Sequence, residues 1–527
     1  MARGHLCLLL HCHLPFVRHP EHESFLEEDW FYEALTESYL PLQGLLEKLE
    51  REGVRFRLTI CLSPPLCAML TDELLRARYA RYLQRRIALM EREVRRLKGT
   101  PLEEAAAVCR STFLSAQEAL GQSQVPLVGT LARLQREGLV EVITTSATHA
   151  MLPLLATPEA LFAQVELGCR SYERLLGCRP RGFWLPECAY TPGLEEVLAG
   201  CGLQFFFLDS HGILLAEPGP VSGVFAPLVT PAGPAAFGRD MESSKQVWSG
   251  TEGYPGDAVY RDFHRDLGHD APLEDIRECL SAGEVRHNIG VKYYAVTDVG
   301  QSERKEPYRP RPAGEKAAEH AAHFLASRGR QVSRLVPVIG RPPLIVSPYD
   351  AELFGHWWFE GPQFLEGVLR GAASGKDGVL PVTPSQYLAE NPVQQVSRPA
   401  VSTWGEGGYF EVWMNESNDW IHPPLHEAEK AMVELAGRHP RAQGTLRRAL
   451  AQCARELLLA QSSDWPFLMY VRTARHYASR RVREHLDRFS ALAGQVRAGR
   501  IDPRSLADLE GRDNIFPDVD YALFAPR

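Results

Sequence analysis

Two short segments of the chain place a carboxylate behind an apolar run and a proline, with aromatic residues on both sides. In Phe183-Trp184-Leu185-Pro186-Glu187-Cys188-Ala189-Tyr190 the acid is Glu187. In Ser347-Pro348-Tyr349-Asp350-Ala351-Glu352-Leu353-Phe354-Gly355-His356-Trp357-Trp358 it is Asp350. A single glutamate after a strand is ordinarily solvated. Two acids in the same local setting suit glycosidic bond cleavage, in which one carboxyl protonates the leaving oxygen and the other attacks or stabilises the oxocarbenium-like centre. Aromatic faces stack on sugar rings and lower the local dielectric, which helps keep one carboxyl protonated. A third constellation, His11-Cys12-His13-Leu14-Pro15, follows the apolar run Leu6–Leu10. Side chains at i and i+2 of a strand share a face. The two imidazoles therefore suit either a metal ion or hydrogen bonds to a polar substrate.

These groups need a frame that gathers distant strand ends. Leu6–Leu10 runs into His11 and His13, Phe56–Leu62 into Ser63 and Pro64, and Val140–Ile143 into Thr144, Thr145 and then His149. Gly182–Leu185 ends at Glu187, Phe205–Leu208 at Asp209 and His211, and Leu344–Val346 at Asp350. Patterns of helical period lie between most of them, as in Tyr39–Glu52, Pro158–Leu176 and Pro192–Ala199. Strand, chemistry-bearing strand end and helix, repeated with one polarity, is the pattern of a parallel α/β barrel. Such barrels carry the active site at the C-terminal ends of their strands.

Two regions break this rhythm. Residues 71–122 carry Leu75, Tyr79, Leu83, Ile87, Met90, Val94 and Leu97 at helical spacing, which reads as a helical insertion in the barrel. Beyond about residue 390 strand signals vanish, and His426–Ala436, Leu446–Ala460 and Ala474–Val496 read as helices. The expectation is a barrel over 1–390 and a helical domain over 391–527. The polar, proline-bearing stretch 296–336 is expected to be a long surface excursion before the last barrel strand.

Bulk composition narrows the class. With 527 residues, 45% of them hydrophobic, there is material for large cores and more than one domain. A net charge of -8 without a long basic run points away from nucleic acid and anionic membranes. Leu6–Leu10 is too short for a signal sequence, and no stretch approaches the roughly 20 apolar residues that span a bilayer. The eleven cysteines have scattered spacing and no CxxC pair, and Cys7, Cys61 and Cys201 sit in apolar segments. They read as reduced thiols in the cytoplasm.

The motifs together resemble glycoside hydrolase family 57, most closely its 1,4-α-glucan branching enzymes, nearly end to end. His11–Pro15 resembles the first family motif, Gly138–Thr145 with His149 the second, Trp184–Tyr190 the third and Ser347–Trp358 the fourth. The resemblance implies an incomplete (β/α)7 barrel and a retaining mechanism without metal or other cofactor. Glu187 would be the nucleophile, Asp350 the general acid/base, and His11 and His13 sugar-binding groups. It further implies substrate contacts for Trp30, His149, Trp357, Trp404, Trp413 and Asp464, the last reaching the site from the helical domain. One departure stands out. Where some branching enzymes of the family carry a tyrosine-bearing loop over the cleft, this chain has Gly219–Ala236, short, rich in proline and glycine, and without tyrosine.

The reading is therefore a cytoplasmic enzyme, expected as a monomer, that branches amylose or a glycogen-like α-glucan. An α-amylase-like hydrolase is the alternative. A metal-dependent deacetylase or mannosidase with His11 and His13 as ligands, and a non-catalytic glycan-binding protein, stand further off.

Overall fold

The computed structural model describes residues 4–122, 126–249, 252–280, 285–297, 305–375 and 377–526. Its frame is a sheet of ten strands: β1 (Gly4–Cys12), β2 (Leu58–Leu62), β3 (Val140–Thr145), β4 (Gly182–Trp184), β5 (Phe205–Leu208), β6 (Leu228–Val229), β7 (Ala235–Gly238), β8 (Leu344–Asp350), β9 (Val379–Pro381) and β10 (Gln395–Val396). The order is β10-β6-β7-β5-β4-β3-β2-β1-β8, with β9 paired to the first residues of β1. Every pairing is parallel except β6 with β7. The main wall is the seven parallel strands β7-β5-β4-β3-β2-β1-β8. Between β7 and β8 there is no ladder among the described residues, but Asp240 just beyond β7 donates its main-chain N–H to Val346 O of β8 at 2.8 Å. The barrel is thus incomplete, held at its seam by a contact rather than a strand pair.

The sequence explains the frame. β1 is apolar on both faces, as an interior parallel strand must be. Leu6, Leu9 and Leu10 have no exposure, and each such burial is worth roughly 1.5–3 kcal/mol. The Pro158–Leu176 helix starts where Thr157 caps Ala160 N, has proline in its first turn, and ends at Gly177 with φ 73°. Those are the expected start and stop signals. Gly168 lets this helix lie on β3, because a Cβ there would fall 2.1 Å from Thr145 O. Gly168→Ala should destabilise the fold by about 1–3 kcal/mol, read as a lower melting temperature; an unchanged melt would mean that the helix retreats freely.

Helices Glu73–Leu97 and Glu103–Gln122 lie between β2 and β3 and pack on each other. After β10 come helices His422–Arg438, Gly444–Ala460, Asp464–Val471, Arg475–Ala498 and Pro503–Arg512. Two expectations need correction. The stretch read as a surface excursion is largely the 30-residue helix Pro310–Ile339; residues 298–304 lie outside the described residues. Its buried stripe, Ala313, Ala317, Ala321, Phe324, Leu325, Arg328 and Val332, is rich in alanine, so the apolar period is muted. Strand pairing also continues past 390, because β10 adds to β6.

Candidate active site

Strand register builds the first part of the site. His11 on β1 lies directly opposite Asp350 on β8, and His11 Nδ1 meets Asp350 Oδ1 at 3.1 Å. His11 Nε2 meets His149 Nε2 at 3.1 Å. His149 Nδ1 meets Ser463 Oγ at 2.8 Å, and Ser463 Oγ donates to Glu187 Oε1 at 3.0 Å. The other oxygen, Glu187 Oε2, accepts from Trp404 Nε1 at 2.8 Å. His13 stacks on His149 with ring centroids 3.8 Å apart. It contacts Ser63 Oγ at 2.9 Å through Nδ1 and Asp464 Oδ2 at 3.0 Å through Nε2. Residues more than 450 positions apart in sequence thus meet at one point, with β1, β3, β4 and β8 supplying one side and the segment 462–464, leading into the Asp464–Val471 helix, the other.

The backbone is shaped for this convergence. Glu187 and Cys188 have φ of 61° and 50°, and His149 has 57°. Left-handed conformations in residues other than glycine cost about 1–3 kcal/mol each and collect at functional sites. The turn throws the Glu187 carboxyl back toward Trp404 and Ser463 instead of along the strand.

Electrostatics follow burial. Burial pushes Glu187 up to about 7, against the hydrogen bonds from Trp404 and Ser463 that favour its charge, while the nearby Asp464 and Asp350 carboxylates add to the rise. Burial also lowers His11, partly offset by Asp350, and with His13 and His11 beside it holds His149 well below the usual imidazole range. Both rings are neutral at neutral pH. Burial opposes the charge of Asp464 too, but His13 and the Ser462 hydroxyl hold it below the usual carboxylate range. Every ring nitrogen of His11, His13 and His149 already has a hydrogen-bond partner. Elsewhere among the described residues, Glu456, His485 and Asp513 bring potential ligand atoms within 4.8 Å of one another. Arg488 and Arg481, at 2.8 and 3.6 Å from Asp513, already supply the positive charge there.

The pattern of Glycosyl hydrolase family 57 matches residues 7–264, and that of the 1,4-alpha-glucan branching enzyme C-terminal region matches residues 424–524. A 1,4-alpha-glucan branching enzyme of Thermococcus kodakarensis is 35% identical over 98% of this chain and 78% of its own length. The chain belongs to glycosyl hydrolase family 57. Among solved structures, the alpha-amylase AmyC from Thermotoga maritima superposes with a TM-score of 0.93, at 40% identity and covering 100% of both chains. The branching enzyme of that family from Pyrococcus horikoshii superposes with a TM-score of 0.89, at 36% identity, covering 100% of this chain and 97% of its own.

In this member of family 57, the residues singled out from sequence fall into two groups. His11, His13, His149, Glu187, Asp350, Trp404 and Asp464 form the connected centre described above. Trp357, 41% exposed, stands at its rim. Trp30 is half-buried and meets Tyr477 edge-on, outside that network. Trp413 does not offer a face: it is 1% exposed and packs under Gly405, where an added Cβ would come within 2.5 Å of its ring. It supports the Trp404 turn rather than lining the cleft.

Sequence reasoning missed Ser63, Ser463, Trp248 and Glu352. Ser63 caps the Pro64–Thr71 helix while holding His13. Trp248, 38% exposed, meets Trp357 edge-on and lies 6.3 Å from Trp404, centroid to centroid. Glu352 is buried two residues past Asp350 and accepts from Tyr39; burial, with Asp350 beside it, pushes it up to about 8. The signal for Ser463 was its place beside Asp464. For Trp248 it was a tryptophan closely following the Phe237–Asp240 segment.

Proposed function

We propose that the chain is a 1,4-α-glucan branching enzyme in which Glu187 and Asp350 are the reacting carboxyls. Glu187 attacks C1 of an α-1,4-linked unit while Asp350 gives its proton to the departing O4, leaving a glycosyl-enzyme. A 6-hydroxyl of another glucan segment then displaces Glu187 as Asp350 takes back the proton. The catalytic barrel is the sheet through β10 with its helices, 71–122 is its helical insertion, and the helices beyond β10 form the domain that completes the site. The observation that carries this reading is the convergence of Ser463 and Trp404, both from beyond β10, on the two oxygens of Glu187. No described helix is long and apolar enough to cross a membrane. All eleven cysteines are free thiols, which suits a reducing, cytoplasmic setting. The reaction as written needs no metal.

A hydrolytic second reading has its own support. Gly219–Ala236 runs into the β6–β7 pair beside the sheet edge and is tied there by Val221 N to Gln395 Oε1 at 2.8 Å and by Gln395 Nε2 to Gly219 O at 2.9 Å. A covered cleft is one means of keeping water from an intermediate. We therefore expect branching with hydrolysis a sizeable fraction of turnover.

The test is incubation with amylose, scoring new α-1,6 links by proton NMR against new reducing ends. Trp404→Ala removes both a stacking face and a donor to Glu187; Trp404→Phe removes the donor alone. The alanine variant should lose transfer more than hydrolysis, because water needs no platform. The phenylalanine variant should lose both about equally. An unchanged ratio in Trp404→Ala would end the acceptor role for this residue. Activity abolished by a chelator and restored by zinc would instead revive the metal reading.

A further inference from the structure

The hydrogen bonds that link Asp350 to Glu187 permit only one sense of direction at a time. A neutral imidazole donates from one nitrogen and accepts at the other. Both His11 and His149 are buried, where the charged imidazolium is disfavoured. With Glu187 ionised, the one hydroxyl proton of Ser463 is spent on Glu187 Oε1 at 3.0 Å. Toward His149 Nδ1, 2.8 Å away, Ser463 must then accept, so His149 carries its proton on Nδ1. His149 Nε2 is left to accept from His11 Nε2 at 3.1 Å. His11 Nδ1 is left to accept in turn, and its partner at 3.1 Å is Asp350 Oδ1, which must be the protonated acid.

We propose that Asp350, His11, His149, Ser463 and Glu187 form a one-proton relay that makes the protonation states of the acid/base and the nucleophile complementary. With the proton on Asp350, every bond in the chain is satisfied and Glu187 is a carboxylate. With it on Glu187, every bond reverses and Asp350 is the carboxylate. Any other arrangement with two neutral rings leaves a buried donor facing a donor or an acceptor facing an acceptor, which burial makes costly. The bond from Trp404 Nε1 to Glu187 Oε2 favours the first arrangement, since a donor aimed at a carboxyl favours its charged form. That arrangement has the proton inventory a double displacement starts from, and the completed cycle returns to it. The relay gives His11, His149 and Ser463 a role besides contact with sugar: they set which carboxyl is the acid. Other titratable groups facing the relay are His13 against His149 and His11, Asp464 near Glu187 and His11, and Glu352 near Asp350.

This inference rests on Glu187 and Asp350 being the reacting pair, and the tests separate the two. Loss of activity in both Glu187→Gln and Asp350→Asn is the condition for the pair; retention of activity in either sinks the pair itself. For the relay, the pH profile of kcat/KM is compared between the parent and Ser463→Ala, with Ser463→Thr as the hydroxyl-keeping control. Cutting the relay should move both limbs inward by roughly half to one pH unit, although the hydroxyl touches only Glu187 and His149. Ser463→Thr should restore the width. A Ser463→Ala profile in which only the acid limb moves, or neither limb, overturns the relay and leaves Ser463 a local partner of Glu187. Neutron diffraction on the parent needs no variant. It should place deuterons on His11 Nε2 and His149 Nδ1 and none on the opposite nitrogens. A ring deuterated on both nitrogens, or two rings of opposed polarity, overturns the proposal.

Discussion

Replacing Glu187 by glutamine should lower turnover on amylose by about 10⁴-fold or more while making the folded chain more stable above neutral pH. The first effect follows from the proposed role of Glu187 as the attacking carboxylate. The second follows from burial. The Glu187 carboxyl titrates at about 7 in the fold against 4.5 as a free side chain. Below 4.5 both the folded and unfolded chains hold the proton, and the group contributes nothing to the pH dependence. Between 4.5 and 7 the folded chain keeps a proton that the unfolded chain has lost, so stability falls as pH rises through this window. Above 7 the full penalty stands, on the order of 3 kcal/mol. Glutamine keeps the size of the side chain and has no charge to bury; its one amide oxygen can accept from Trp404 Nε1 while its NH2 donates to Ser463 Oγ, whose hydroxyl then turns away. The gain in melting temperature should therefore be small at pH 5 and widen toward pH 8; a constant gain across that range would locate it in packing instead. The same titration places an acid limb near pH 7 in the kcat/KM profile of the parent, since only the ionised carboxyl attacks.

Much of this frame was legible in the sequence because the strands that matter are short, apolar and followed at once by reactive side chains. Leu6–Leu10, Val140–Ile143 and Phe205–Leu208 all fall within strands β1, β3 and β5. The seventh wall strand was not legible. Ala-Ala-Phe-Gly at 235–238 has little branched apolar surface, and Gly238 is there because an added Cβ would fall 2.8 Å from Ile213. The Pro310–Ile339 helix was hidden by alanine on its buried face and by its prolines: Pro310 and Pro312 lie in the first turn, where a helix tolerates them, and Pro337 lies near its end. At the site, residue type and spacing picked out groups that react but not groups that hold them. Ser63 and Ser463 are each one hydroxyl in an ordinary context. Their function depends on partners 50 and 276 positions away. Trp413 is the converse case: an aromatic that the sequence offers as a substrate contact is buried beneath the turn of another tryptophan.

The second large effect should come from Asp464→Ala, which removes the grip of the helical domain on the barrel site without touching either reacting carboxyl. Asp464 Oδ2 receives His13 Nε2 at 3.0 Å and Ser462 Oγ at 2.5 Å, and its neighbour Ser463 holds both His149 and Glu187. The segment 462–464 is thus a single clip on β1, β3 and the Glu187 turn. Alanine at 464 leaves His13 Nε2 facing an empty space in a buried setting, which costs about 1–3 kcal/mol. It also frees Ser463 to drift. Since displacements of about 1 Å at reacting groups can cost roughly 10²-fold, kcat/KM should fall by about 10²- to 10³-fold, with a lower melting temperature. Asp464→Asn is the informative companion. Its amide oxygen can still accept from His13 or Ser462, so the clip is largely kept and the charge alone is lost. If Asn recovers most of the activity and stability, geometry is what Asp464 supplies. If Asn is as poor as Ala in activity while melting like the parent, its contribution is the negative charge beside His13. An alanine variant with parental kcat/KM would show that the Asp464 clip is not what positions Glu187 and His149.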